Sequence, residues 1–285
     1  MNVKAIRPRR NLWRRILSDK RALVSLAYLL GLTALAVLAP FVAPYSPIEQ
    51  DYSQVLVPPG GAHWLGTDDV GRDILSRLIY GAPASVFGSL FAVGVAVVIG
   101  LPVGLFAGYI GGRLDDLVGR VIDTLLSFPA IVLAIGVTGA LGINLVNAMF
   151  AIGLVFSPIL ARLVRAQTLV VKNEQYVEAA RCAGAGHVRL LWTHILPNII
   201  HPVIVQITLL LAAALLAEAS LSFLGLGVQP PAASWGGMLA RAYNYMEISP
   251  WQIYPPGLAI LSAALAFNAL GESLRVLLDP TSDRR

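Results

Sequence analysis

Charge-free apolar length constrains this chain more than any other feature. Residues Ala22 to Ala43 contain no Asp, Glu, Lys or Arg, and a run of that length can cross ~30 Å of hydrocarbon. The stretches from Ala82 to Gly112 and from Thr124 to Ala161 are also free of charge. The latter is too long for one helix, and Gly142, Asn144 and Asn147 divide it into Thr124–Leu141 and Leu145–Ala161. Two more spans are expected near Ile199–Ala217 and Tyr254–Leu270. An open sheet cannot satisfy its backbone inside lipid. The expected fold class is therefore all-α, a polytopic membrane protein with six transmembrane helices. Charged residues make up 13% of the chain, against about 25% in a soluble domain.

The placement of basic residues sets the orientation. Lys4, Arg7, Arg9, Arg10, Arg14, Arg15, Lys20 and Arg21 precede the first span. Arg162, Arg165, Lys172, Arg181 and Arg189 lie between the fourth and fifth, and Arg275, Arg284 and Arg285 near the C-terminal end. The alternate loops hold only Arg72, Arg77 and Arg241. Positive charge is retained on the cytoplasmic side, so both termini and the 162–194 loop are expected there. A basic N-terminus also suits nucleic acid, but a membrane span follows at once, so no nucleic-acid partner is expected. The first run reads as an uncleaved anchor. The lone Cys182 excludes an internal disulfide.

Within Arg9–Lys20, Leu12, Trp13, Ile16 and Leu17 recur at helical spacing opposite Arg10, Arg14 and Arg15, as in an interfacial helix. Thr67 or Asp68 is expected to cap a helix entering the second span. Gly100, Gly104, Gly108 and Gly112 put a flat ridge on that span, where another helix can approach closely. Pro102 and Pro129 are expected to kink their spans. Asp116 and Arg120, four apart, are expected to pair. Glu218 reads as an interfacial glutamate with a local partner. Gly225 to Trp251, with Trp235, Tyr243, Tyr245 and Trp251, reads as re-entrant or interfacial structure with an aromatic belt.

Chemistry is hard to find. None of Lys4, Lys20 and Lys172 follows a glycine, so the GxxxxGK[ST] phosphate loop is absent, as are HExxH and GxSxG. His187, His194 and His201 are evenly spaced, yet no Cys or acidic ligand is arranged with them and Pro197 interrupts a shared helix. No catalytic residue, bound cofactor or metal site is expected.

The most specific stretch is Glu178-Ala179-Ala180-Arg181-Cys182-Ala183-Gly184, continuing to His194-Ile195-Leu196-Pro197. It reads as two short helices joined by a turn at Gly184-Ala185-Gly186, because glycine tolerates the left-handed geometry that ends a helix. Ala179, Ala180 and Ala183 leave a narrow face that could slot into a groove.

This pattern resembles the EAA loop of ABC-importer permeases, with His194 standing where the general pattern has its first isoleucine. Leu65-Gly66-Thr67-Asp68 with Gly71-Arg72-Asp73, then Leu221 to Gly227, then Ala266-Phe267-Asn268 leading to Leu278-Asp279-Pro280, are similar to the C-type subunit of the dipeptide, oligopeptide and nickel permeases. The resemblance implies a type I, MetI-like permease fold in the cytoplasmic membrane. It implies an N-terminal part, 1–81, a permease core, 82–279, with a coupling loop at 167–194, and a tail, 280–285. It further implies peptide transport, a second related permease, two ATPase subunits that hold ATP and Mg, and an external solute-binding protein. Glu178, Ala179, Ala180, Gly184, Ile195, Leu196 and Pro197 would meet the ATPase. Nickel cargo is the nearest alternative. A secondary transporter would need ionisable groups near mid-membrane, and the spans are almost free of them.

Overall fold

The computed structural model describes residues 19–278. The interfacial helix expected over 9–20 falls almost entirely outside them, as do the tail 280–285 and the Asp279-Pro280 pair. Among the described residues the chain is helical: α1 (Lys20–Val42), α2 (Ile74–Ile110), α3 (Gly112–Leu126), α4 (Ala130–Leu141), α5 (Leu145–Val171), α6 (Gln175–Cys182), α7 (Leu196–Phe223), α8 (Trp235–Asn244) and α9 (Tyr254–Leu278). A short turn, His187–Arg189, and a π-helical stretch, Leu190–Ile195, lead into α7.

Five helical stretches are long and apolar enough to cross a membrane. The sixth expected crossing is in two pieces: α3 and α4 meet at 91°. Pro129 is the physical cause, since it lacks a backbone donor and pushes Phe128 out of the α region. At the other end of α4, Gly142 turns with φ +99° and the Asn147 amide donates to the Leu141 and Gly142 carbonyls. The divider between the third and fourth spans thus stands where Gly142, Asn144 and Asn147 place it.

Helix α2 starts at Ile74, ahead of the apolar run that begins at Ala82. Its cap is neither Thr67 nor Asp68 but Asp73, whose carboxylate accepts from the Ser76 amide and hydroxyl at 2.7 Å each. Thr67 and Asp68 are turned into the preceding loop, where other backbone groups need them.

The scaffold is the parallel contact of α2 with α5. A methyl on Gly100 would meet the Ser157 carbonyl at 2.6 Å, and one on Gly108 the Arg165 carbonyl at 2.8 Å. Gly153 answers from α5, where a methyl would meet the Ala92 carbonyl at 2.6 Å. Small residues on both helices let the backbones touch, which is how apolar helices associate when lipid is as apolar as they are. Gly112 has open space around it and takes no part in the ridge.

Three further expectations are corrected. Asp116 does not pair with Arg120. Instead Asp115 takes a bidentate bond from Arg165, and Asp123 pairs with Arg162, because α3 crosses α5 beside those arginines. Trp235 does not belong to an interfacial belt: it is 1% exposed, and its Nε1 donates to the Leu78 carbonyl at 2.9 Å. Tyr243, by contrast, is exposed. Glu218 lies inside the bundle, fully buried, and accepts from the Ser85 hydroxyl of α2 at 2.9 Å and from Ser222 at 2.7 Å.

Candidate functional site

The segment from Lys172 to Pro197 leaves the bundle at one end and returns to it as α7. Glu174 takes the N-cap position of α6, and Val177 on the first turn is fully buried, pinning the helix to the core. The helix ends in a complete Schellman motif. The Gly184 amide donates to the Arg181 carbonyl, the Ala185 amide to the Ala180 carbonyl, each at 3.0 Å, and Gly184 has φ +85°. Ala180 and Ala185, the two residues such a motif brings together, both pack on the core. Glycine is required here by its backbone conformation alone, since nothing lies within 4 Å of the position a Cβ would take.

Beyond the turn, Leu190, Leu191, Ile195 and Ile199 are buried. They carry the chain into α7 along a continuous helical backbone, although the register widens to π between Leu190 and Ile195. Pro197 explains the widening: it has no N–H to give and its ring crowds the carbonyl four residues back.

Two contacts tie this segment to α2. The Tyr109 hydroxyl lies 2.7 Å from His187 Nδ1. Lys172 Nζ donates to the Gly108 carbonyl at 2.7 Å, a cation on the exposed carbonyls of a helix C-terminus. Partial burial and the Glu174 charge push the Tyr176 hydroxyl above the ordinary phenol range.

Glu178, Ala179, Gly184 and Pro197 are exposed, Ala180 and Leu196 are half-buried, and Ile195 is fully buried in the core. Six of the seven expected contact residues therefore present some surface, and Ile195 anchors the segment from inside. Sequence reasoning passed over Val188 and Trp192, which are 71% and 65% exposed beside this surface. Their four-residue spacing on a helical stretch was the available signal. Tyr109 left no signal, since its partner is far away in sequence. Among the described residues no group of three or more His, Cys, Asp or Glu could hold a metal.

The opposite end of the bundle is closed by the loop between α1 and α2. Asp68 Oδ1 accepts from the amides of Val70 and Arg72, and its Oδ2 from Arg72 Nε at 2.7 Å. Arg77 Nε lies 3.5 Å from the same carboxylate, and Arg241 of α8 reaches Asp69 at 2.9 Å. His63 bridges Asp73 and Gln54 at 2.9 and 3.0 Å. The three basic residues of the sparsely charged loops are thus each set against an aspartate.

The family described as "Binding-protein-dependent transport system inner membrane component" matches residues 100–284, and "N-terminal TM domain of oligopeptide transport permease C" matches residues 7–59. The dipeptide transport system permease protein DppC of Haemophilus influenzae is 43% identical over 279 residues, covering 96% of this chain and 95% of that one. The glutathione transport system permease protein GsiD of Pectobacterium atrosepticum is 41% identical over 279 residues, covering 97% of this chain and 93% of that one. Among solved structures, a chain of the inward-facing MetNI methionine ABC transporter superposes with a TM-score of 0.60 at 19% identity, covering 72% of this chain and 97% of that one. That likeness concerns the fold.

Proposed function

We infer the function from one premise: the chain belongs to the family of binding-protein-dependent transport system inner membrane components. It is the permease subunit of an ATP-binding-cassette importer, and its cargo is short peptides. The basic end faces the cytoplasm of a cell whose inner membrane the chain crosses. A second related permease completes the pore, two ATPase subunits that hold ATP and Mg dock on the 172–197 segment, and an external binding protein delivers cargo to the opposite end. The membrane core begins near residue 82, the part before it serving as an added anchor.

The observation that carries this reading is the construction of the 172–197 segment. It is capped and seated on the core, yet it leaves Glu178 and Ala179 in the open. Glu178 makes a charge-assisted contact with a basic residue of the ATPase. When ATP draws the ATPases together, α6 moves as a body. The unbroken helical run through Ile195 passes the motion to α7, and the Tyr109–His187 contact passes it to α2. The outcome is a rigid-body switch between inward and outward access.

The test is uptake of labelled dipeptides into proteoliposomes holding this chain with its partner subunits. ATP-dependent, vanadate-sensitive uptake supports the reading. Uptake by this chain alone on a proton gradient would replace it with a secondary transporter. One observation favours that rival, the buried Glu218 inside the bundle. Full ATP-driven uptake by Glu218→Gln would set the rival aside. Competition by nickel rather than by peptides would change the cargo and keep the architecture.

A further inference from the structure

The loop between α1 and α2 holds a tryptophan out in the open on a closely tied turn. Trp64 is the second residue of the turn His63 to Gly66, which the Gly66 amide closes on the His63 carbonyl at 2.9 Å. Both flanks are fixed. The Tyr45 hydroxyl donates to the Ala62 carbonyl at 2.9 Å, and its ring lies 4.8 Å from that of His63. His63 is held in turn by Asp73 and Gln54, and the Thr67 amide donates to the Val57 carbonyl at 3.0 Å. Yet Trp64 itself is 74% exposed. Tyr52, on a short turn capped by Asp51, is equally open, and so is Ile48. The segment between α7 and α9, which Arg241 ties to Asp69 of this loop, adds the exposed Ile248. Large apolar side chains on a turn that is already ordered are what a protein-binding hot spot is made of, because little entropy is left to lose on contact.

Charge selects the occupant. The whole chain carries a formal charge of +5, but the open charge of this end is acidic. Glu49 and Asp51 stand among Ile48 and Tyr52, and Glu247 precedes Ile248. All three carboxylates are exposed, with no Lys or Arg partner among the described residues. The Ser53 hydroxyl and amide hold the Asp51 carboxyl below the ordinary carboxylate range. The basic residues of this end do not offset them at the surface, since Arg72 and Arg77 are buried and Arg241 is bonded to Asp69. Carboxylates interspersed with open aromatic rings recognise Lys and Arg, through ion pairs and through the ring face. They are repelled by acidic lipid headgroups, and lipid covers the sides of a spanning bundle rather than a loop across its end.

We propose that this surface, centred on Trp64, is the docking site for a basic face of the external binding protein. The proposal rests on the permease reading, which supplies that partner and makes this end the outer one. Trp64 and Tyr52 anchor the contact, and Glu49 and Glu247 steer it.

The test is ATP hydrolysis by the assembled importer in lipid nanodiscs, titrated with its cargo-loaded binding protein. Trp64→Ala should raise the half-saturating concentration of binding protein by about tenfold or more, the loss expected of an anchor. Trp64→Phe, which keeps a ring on the turn, should recover part of it. Glu49→Lys combined with Glu247→Lys should raise the same concentration several-fold at low salt. At about 0.5 M sodium chloride that variant and the wild type should converge, because screening removes the electrostatic part. An unchanged value in Trp64→Ala would overturn the anchor, and an unchanged value in the double reversal would overturn the basic partner. If Trp64→Ala instead lowers the amount of second permease recovered with the chain, that subunit covers the surface and the proposal falls. Quenching by brominated phospholipid that Trp64→Phe abolishes would assign the ring to lipid, and the proposal would fall as well. Stimulation of the wild type by binding protein keeps the permease reading in all these cases. Its absence would overturn that reading and the proposal together.

Discussion

At the end of the bundle closed by the loop between α1 and α2, Arg72, Arg77 and Arg241 are all set against Asp68 or Asp69, and Arg72 and Arg77 are almost inaccessible. At the other end Glu178 and Arg181 stand exposed on a helix whose apolar side is locked down, with no ion-pair partner for either among the described residues. The charge of this cluster at the loop-closed end is spent inside the chain and holds a loop in shape. The charges of Glu178 and Arg181 are unspent within the described residues and stand open to solvent. Acidic and basic side chains are therefore used up within the fold in one place and left exposed in the other, and burial decides which.

The contrast breaks most visibly at Asp68. Asp68→Ala leaves Arg72 and Arg77 buried without their carboxylate, and a loss of about 3–5 kcal/mol is expected, seen as a lower Tm and a lower yield of inserted protein. A Tm unchanged within error would show that these buried charges are not structural.

A smaller effect is expected at Gly184. Gly184→Ala places a Cβ on a backbone with φ +85° in open space, so only backbone strain is felt. The cost is about 1–2 kcal/mol, localised to α6. Hydrogen exchange should speed up in 175–185 while α2 and α5 stay protected, and exchange spreading to those helices would contradict the local reading.

Next in size is Tyr109→Phe, which deletes a bond to His187 worth about 0.5–1.5 kcal/mol. If the contact transmits motion, uptake should fall several-fold while ATP hydrolysis by the assembled importer persists. A parallel fall in both would reduce Tyr109 to a structural role. The smallest effect belongs to Arg162→Ala. Its pair with Asp123 has side chains 53% and 72% exposed, and such pairs contribute at most about 1 kcal/mol. An effect on Tm comparable with that of Asp68→Ala would sink the argument that burial decides.

What the sequence made legible follows the same division. The apolar runs and the Gly184 turn were readable because each is set by local chemistry: hydrocarbon length in one case, a left-handed backbone in the other. Pro129 announced a kink, but not a right angle, since the angle depends on where α5 lies. The pairing of Asp115 and Asp123 was misread as a local Asp116–Arg120 pair because Arg165 and Arg162 arrive from another helix. Trp235 reads like any interfacial tryptophan until α2 supplies the Leu78 carbonyl. Glu218 is visible as a charge in an apolar span, whereas its two serine partners, one of them on α2, become visible only in three dimensions.

The central claim is that the exposed charge of the 172–197 segment is spent on a partner that drives transport. Glu178→Lys in the assembled importer tests it most directly, with uptake, membrane insertion and Tm read on the same preparation. The account predicts that ATP-dependent uptake is abolished while insertion is unchanged and Tm moves little, since a surface substitution costs within about 0.5 kcal/mol. Uptake at the wild-type rate would contradict it.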